Sequence, residues 1–136
     1  MTEFGELAEF LGGRVSTFNK FEEIKAWQKA REITKEVYSI CKSEKIAKDF
    51  SLVDQMKRCS VSIMANIDEG HGRRTGAEFA NFLNIARGSA IELQSHLYVA
   101  LDQNYIERED FEKVYAMLDE VSKMTVSLSQ YLRNKK

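Results

Sequence analysis

Residues 111–132 read FEKVYAMLDEVSKMTVSLSQYL. Their apolar residues, with one threonine, recur at alternating intervals of three and four: Phe111, Val114, Leu118, Val121, Thr125, Leu128 and Leu132. That spacing keeps one face of an α-helix apolar for about six turns. Acidic residues crowd the first turns of this helix and basic residues crowd its end, as the helix dipole favours: Glu107, Glu109, Asp110 and Glu112, then Arg133, Lys135 and Lys136. We therefore predict a helix over residues 107–133.

Three earlier stretches show the same helical spacing, and we predict helices over residues 21–43, 50–69 and 76–102. Thr75 and Glu78 have the spacing of a capping box, and Gly70 and Gly72 are expected to end the helix before them. Connectors of about 4–8 residues make consecutive helices antiparallel. The predicted fold is therefore all-α, an antiparallel up-down-up-down four-helix bundle.

The composition agrees with a single helical domain. The chain has 136 residues and no proline, whereas an average usage of about 5% predicts roughly seven. Long helices need no proline, while sandwiches and ordered loops usually contain some. We assign residues 19–136 to the four-helix bundle domain and residues 1–18 to an N-terminal extension, in which residues 3–11 could form a short extra helix.

Charge and cysteine usage exclude several classes of protein. Lysine and arginine number 20 and acidic residues 21, a net charge of −1, which excludes a generally basic nucleic-acid binder but not a local basic patch. Cys41 and Cys59 have no paired spacing, so we expect neither a disulfide scaffold nor a zinc site, and we interpret both as small core hydrophobes.

No apolar run approaches the roughly 18 residues that span a bilayer, and the acidic start does not resemble a secretion signal. We expect a soluble cytoplasmic protein without a membrane partner.

Some apolar residues lie beside the main helical faces. Met117, Met124 and Tyr131 recur every seven residues on the last helix, and Ile91 and Tyr98 do so on the third. They either widen the core face or form a second apolar face that contacts other subunits. Because residues 77–103 carry only four charged side chains, Glu78, Arg87, Glu92 and Asp102, we favour the second interpretation and predict a homo-oligomer.

The loop of residues 70–76 reads GHGRRTG and places Arg73 and Arg74 just before a predicted helix N-terminus. Free amides and the helix dipole attract anions there. With Lys57 and Arg58 on the preceding helix, these arginines are candidates for binding RNA phosphates. The alternative is a helix C-cap followed by a solvated arginine pair. The loop is neither a dinucleotide fingerprint nor a P-loop, since it lacks a preceding strand and a Gly-Lys-Ser/Thr ending.

A polar cluster is predicted between the second and third helices. Glycine at position 88, in the middle of a strong helix, costs about 1 kcal/mol relative to alanine, so we expect another backbone to approach closely there. Polar residues flank the adjoining core faces. We predict that they lock the two helices in register, with Arg73 as a further candidate member: Asn66, Glu69, Ser89 and Glu92.

The sequence shows no enzymatic centre. Glu92 and His96, four residues apart, could chelate a metal from one helix face, but neither histidine has a glutamate three residues before it, which excludes a carboxylate-bridged di-iron site. No Gly-x-Ser-x-Gly elbow occurs. We therefore predict a protein that is not an enzyme and that uses no cofactor and no metal.

Two blocks of the chain resemble a known family. Residues 62–73, SIMANIDEGHGR, and residues 82–93, FLNIARGSAIEL, resemble the two signature blocks of the 23S rRNA intervening-sequence protein family. The resemblance spans roughly residues 19–133. Asp68 departs from the family pattern, which usually has alanine at this position.

This resemblance implies four-helix bundles that assemble into rings, typically homopentamers, many encoded within intervening sequences of bacterial large-subunit rRNA genes. A more distant branch, the accessory variability proteins of diversity-generating retroelements, binds nucleic acid and a reverse transcriptase through a strongly basic surface. Our interpretation is a non-enzymatic oligomeric protein acting as an RNA-associated or RNA–protein adaptor, with RNA and a reverse transcriptase as candidate partners. The alternative is a ring-shaped protein–protein interaction scaffold that binds no nucleic acid.

Overall fold

Helices account for all the regular secondary structure over residues 18–134, the part of the chain that this computed structural model describes. The long helices are α1 (Lys25–Cys41), α3 (Phe50–His71), α4 (Gly76–Asp102) and α5 (Arg108–Asn134). A short helix, α2 (Glu44–Ala47), and a 3₁₀ turn (Phe21–Glu23) complete the described elements. The all-α prediction is confirmed, while the short extra helix that residues 3–11 could form lies outside the described residues.

The helix ends differ from the predictions by a few residues. The expected helix over 21–43 is divided into the 3₁₀ turn and α1. The α2 turn was not predicted, and the Ser43 hydroxyl caps it by accepting a hydrogen bond from the Lys45 amide (3.3 Å). Helix α3 continues to His71, two residues beyond the predicted end, and of the two glycines expected to end it Gly72 is the C-cap. Gly70 lies within the helix at a close contact with α4, where a Cβ would meet Phe79 and Phe82.

Local capping explains where two of the long helices begin. The Asp49 carboxylate accepts a hydrogen bond from the Leu52 amide at the start of α3 (3.2 Å). At the start of α4, the Thr75 hydroxyl accepts from the Glu78 amide (3.1 Å) and donates to the Glu78 carboxylate (3.2 Å). Thr75 and Glu78 therefore have the predicted capping role. The Glu78 carboxylate accepts its hydrogen bond from the Thr75 hydroxyl and not from the Thr75 backbone amide.

The core lies between the four long helices. Helix α1 packs against α3 and α5, and α4 also packs against α3 and α5, so each long helix contacts two others. Their inward-facing aliphatic side chains are fully buried, for example Ile33, Ile63, Leu93 and Leu118, one from each helix. After α4, Asn104 adopts a positive φ of 59° and turns the chain toward α5.

Candidate functional site

The two arginines of the loop between α3 and α4 have different surroundings. The Arg73 guanidinium forms an ion pair with Glu69 (2.9 Å) and lies over the Phe82 ring, 4.6 Å from its centroid. Arg74 is exposed. The charge of Arg73 is therefore partly neutralised by Glu69 of α3, while Arg74 faces solvent directly before the N-terminus of α4.

A third arginine, Arg133, lies at the same end of the molecule. A Cβ built on Gly76 would be 2.9 Å from the Leu132 carbonyl oxygen, so the start of α4 touches the last turn of α5. Arg133 donates a hydrogen bond to the neutral Asn81 amide oxygen (2.7 Å). We call Arg73, Arg74 and Arg133 the arginine end. Sequence reasoning missed Arg133 because only packing brings the C-terminus of α5 to this loop.

The structure does not bring Lys57 and Arg58 to the loop. From Arg58 to the end of α3 the helix rises by about 20 Å. Lys57 lies over the Tyr38 ring of α1, 4.9 Å from its centroid, and Arg58 pairs with Asp54 on its own helix (2.9 Å). The four basic residues proposed from the sequence thus form two separate groups on one protomer.

The predicted polar cluster is divided into separate contacts. The hydroxyls of Ser62 and Ser89 lie 2.8 Å apart between α3 and α4, and Asn66 donates to Ser62 Oγ (3.0 Å). Glu69 does not join them, because it is exposed and pairs with Arg73. Ser62 connects Asn66 to Ser89. It was not among the cluster residues predicted from the sequence.

Glu92 forms a second contact between the same two helices. The Cys59 thiol donates a hydrogen bond to Glu92 Oε2 (3.0 Å), and His96 Nε2 lies 3.2 Å from the same oxygen. These neighbours, Cys59 first, lower the pKa of Glu92, while burial, followed by the Glu92 carboxylate, raises the pKa of Cys59 to about 12. Cys59 is buried as expected, but it is also a hydrogen-bond donor and not only a small apolar group.

The outward side of α4 carries several large apolar residues. Ile91 is 48% exposed and Tyr98 49% exposed, and Ile85 and Val99 are exposed as well. No atom outside the neighbouring turns of α4 lies within 4 Å of a Cβ built on Gly88. The expected close approach at Gly88 therefore does not occur between the described residues of one chain, because the buried face of α4 lies on its opposite side. We call Ile85, Gly88, Ile91, Tyr98 and Val99 the outer face of α4.

The three apolar residues singled out on α5 have a different environment. Met117, Met124 and Tyr131 are partly buried and pack at the edge of the core. Tyr98 of the outer face of α4 contacts other residues of α5, since its ring lies 4.9 Å from the Phe111 ring and 5.8 Å from the Tyr115 ring. Their assignment to an oligomer interface stays a prediction.

The fold and these contacts define an all-helical protein whose signature residues lie along the contact between α3 and α4. The family described as 23S rRNA-intervening sequence protein matches residues 22–127. This chain belongs to that family, and the resemblance seen in residues 62–73 and 82–93 is confirmed.

Comparison with solved structures agrees with this assignment. A crystal structure of a protein of unknown function from the S23 ribosomal protein family of Bacteroides thetaiotaomicron is similar to this chain, with a TM-score of 0.71 and 30% sequence identity. The match covers 77% of this chain and 98% of that one. No match was found among curated proteins. Over residues 18–134, every helix is too short or too polar to cross a membrane.

Proposed function

We propose that this protein is a non-enzymatic, oligomeric four-helix-bundle protein that acts in the cytoplasm as an RNA-associated or RNA–protein adaptor. The observation that carries the proposal is the outer face of α4, where Ile85, Ile91 and Val99 are exposed among the described residues 18–134. Association through this face would place several arginine ends in one assembly. The free thiols of Cys41 and Cys59 agree with a reducing compartment.

For the topology we propose the antiparallel up-down-up-down order. Contacts between neighbouring helices support it. As the residue number rises along one helix, the number of the contacting residue on the neighbouring helix falls, which is the pattern of antiparallel helices. Between α3 and α4 the pairs are Cys59 with Glu92 and Ser62 with Ser89. The other neighbours follow the same rule: Thr34 with Ser60, Tyr38 with Lys57, Lys29 with Glu120, Glu36 with Lys113, Asn81 with Arg133, and Gln94 with Asp119.

The proposed assembly is a homopentamer, the ring implied by the family resemblance. Ile91 and Tyr98 supply exposed apolar area, and each Å² removed from water contributes about 25 cal/mol. Met117, Met124 and Tyr131 would extend this interface from the edge of the core. Apolar patches of this kind on otherwise charged surfaces mark contact sites between proteins.

RNA binding is assigned to the arginine end. Arg74 is free to meet a phosphate, and the first amides of α4 and the helix dipole favour an anion beside it. The Arg133 guanidinium bonds a neutral amide, so a carboxylate does not cancel its charge in that contact. A ring would bring several copies of these arginines into one assembly. Their positive charge would then be concentrated locally, although the net charge of each chain is −1.

Titration of a short fluorescein-labelled single-stranded RNA of mixed sequence tests this assignment. Affinity should fall steeply with added salt, because phosphate contacts release counterions. The double variant Arg73→Glu/Arg74→Glu should abolish binding at low salt while keeping the circular dichroism spectrum of the parent protein. Salt-independent binding, or no binding at low salt, contradicts the proposal.

A matched control separates a local site from an effect of total charge. Lys57→Glu/Arg58→Glu changes the charge by the same amount near the middle of α3, about 20 Å from its end. RNA affinity that survives this change but not the loop change supports the arginine end. Equal losses in both double variants would show that RNA responds to total charge and contradict the assignment to this end.

The second candidate function is a protein–protein interaction scaffold without nucleic acid. The outer face of α4 and the nearly neutral charge favour it, and a reverse transcriptase is one candidate partner. A partner that co-purifies after nuclease treatment, together with no RNA binding at low salt, would support the scaffold over the adaptor.

A further inference from the structure

A cysteine, a glutamate and a histidine meet where α3 packs against α4. Cys59 lies near the middle of α3, and Glu92 and His96 lie one turn apart on α4. Glu92 Oε2 is 3.0 Å from Cys59 Sγ and 3.2 Å from His96 Nε2. The three donor atoms all lie within 4.8 Å of one another. Three different metal-binding groups from two helices therefore converge on one point.

We propose that Cys59, Glu92 and His96 bind a Zn²⁺ ion that takes its fourth ligand from solvent. A thiolate sulfur, an imidazole nitrogen and a carboxylate oxygen are the ligands that zinc takes in proteins. Mg²⁺ and Ca²⁺ are disfavoured, because both require a shell of oxygen ligands. From the sequence we predicted no metal, because Glu92 and His96 were the only ligands in view; Cys59 of α3 supplies a third, and the proposed site replaces that prediction. It does not depend on the proposed RNA-associated function.

The separations are close to those of a tetrahedral zinc site. Bonds of about 2.0–2.3 Å at the tetrahedral angle place neighbouring donor atoms roughly 3.4–3.6 Å apart. The two contacts of Glu92 Oε2 need only lengthen by a few tenths of an ångström, and Cys59 Sγ and His96 Nε2 need to approach each other by at most about 1.2 Å. Side-chain rotation supplies movements of this size without a change in the helices.

Burial differs among the three residues in a way that suits an exchangeable ion. Cys59 is buried, whereas the side chains of Glu92 and His96 are 55% and 23% exposed. The ion would bind above the cysteine, with its open position toward solvent. In the ion-free protein Cys59 donates its S–H to Glu92.

Metal binding replaces the hydrogen bond by coordination. The S–H bond of Cys59 breaks, its proton goes to solvent, and the sulfur lone pair binds Zn²⁺. His96 coordinates as the neutral ring and Glu92 as the carboxylate, so neither an oxidant nor a reductant is needed. A bound ion would hold α3 to α4, and it would stabilise the folded chain by mass action.

The test is metal binding to the full chain, kept reduced with a non-chelating phosphine. Calorimetry with ZnCl₂ should give one ion per chain, and Zn²⁺ should raise the melting temperature. Co²⁺ should show the visible bands of tetrahedral cobalt together with a near-ultraviolet thiolate charge-transfer band. Absence of saturable binding, or cobalt bands without the thiolate absorption, overturns the proposal.

The second cysteine and the second histidine of this chain serve as matched controls. Cys59→Ala and Glu92→Gln should each weaken Zn²⁺ binding by at least about 10–100-fold, whereas Cys41→Ala and His71→Gln should bind like the parent. Glu92 is exposed, so Glu92→Gln gives a result even if Cys59→Ala does not fold. Binding that survives Glu92→Gln and is lost in His71→Gln would show an adventitious ion at the surface, and the proposal would be wrong.

Discussion

Ser62 and Ser89 face each other across α3 and α4 with their hydroxyl oxygens 2.8 Å apart. Each comes from one of the two blocks of the family signature, and Asn66, from the first block, donates to Ser62. Part of the signature is therefore explained by contact between two helices. We predict that this contact favours one register of α3 against α4, because the two hydroxyls face each other at only one relative position of the helices.

A double-mutant cycle should detect this pair. Ser62→Ala and Ser89→Ala should each lower the free energy of unfolding by about 0.5–1.5 kcal/mol, since each leaves the other hydroxyl without its partner. The double variant should cost less than the two single changes together. Urea denaturation measures all three. Ser95→Ala, at an exposed serine of α4, is the control, and strictly additive losses would contradict the contact.

Gly70→Ala should destabilise the protein. The new Cβ would lie 2.8 Å from Phe82 Cβ and 2.9 Å from Phe79 Cδ1, so α4 would have to move away at a cost of about 1–3 kcal/mol. Gly88→Ala is the matched helical control when both changes are made in the Ile91→Glu background, where no second subunit should cover the outer face of α4, because its Cβ then enters open space and alanine favours helix by about 1 kcal/mol. Urea denaturation of the two variants should give opposite signs, and a stabilising Gly70→Ala would refute the close packing.

Ile91→Glu should break the proposed assembly and leave the protomer folded, since this side chain is 48% exposed on the outer face of α4. Light scattering should give a mass near five chains of 15.7 kDa for the parent and a smaller mass for the variant. Phe50→Glu, at an exposed phenylalanine outside that face, should keep the parent mass. A parent protein that stays at 15.7 kDa at high concentration would exclude the ring.

Asp68→Asn should stabilise the protein at neutral pH. Burial, followed by the neighbouring charge of Glu69, raises the pKa of Asp68, and a negative charge in the last turns of α3 also opposes the helix dipole. Because the pKa is higher in the folded state, ionisation costs stability above that pKa. The cost disappears as the pH falls below the pKa of the unfolded chain, about 3.9.

Thermal unfolding of this variant and the parent at pH 7 and near pH 3 checks the sign. The melting temperature of Asp68→Asn should exceed that of the parent at pH 7, and the two should converge in acid. Asp54→Asn, which removes the partner of Arg58 near the start of α3, should instead lower the melting temperature slightly at pH 7. A lower melting temperature for Asp68→Asn at pH 7 would contradict the argument.

The sequence by itself determined the four long helices and which faces they bury. Apolar residues at intervals of three and four, such as Leu118 and Val121, predict a helix and its buried side together, because both depend on the same helical period. The family assignment also came from the linear sequence, since its signature blocks are continuous.

Only the tertiary structure decided which polar residues meet. Cys59 is 33 residues from Glu92, and Arg133 is 52 residues from Asn81, so no local period relates them. Their neighbours depend on how far one helix is shifted and rotated against the next, which is set by the packing of the whole core. For the same reason the sequence could propose Asn66, Ser89 and Glu92 as contacts between two helices, but packing alone determined that Ser62 joins Asn66 to Ser89 and that Cys59 faces Glu92.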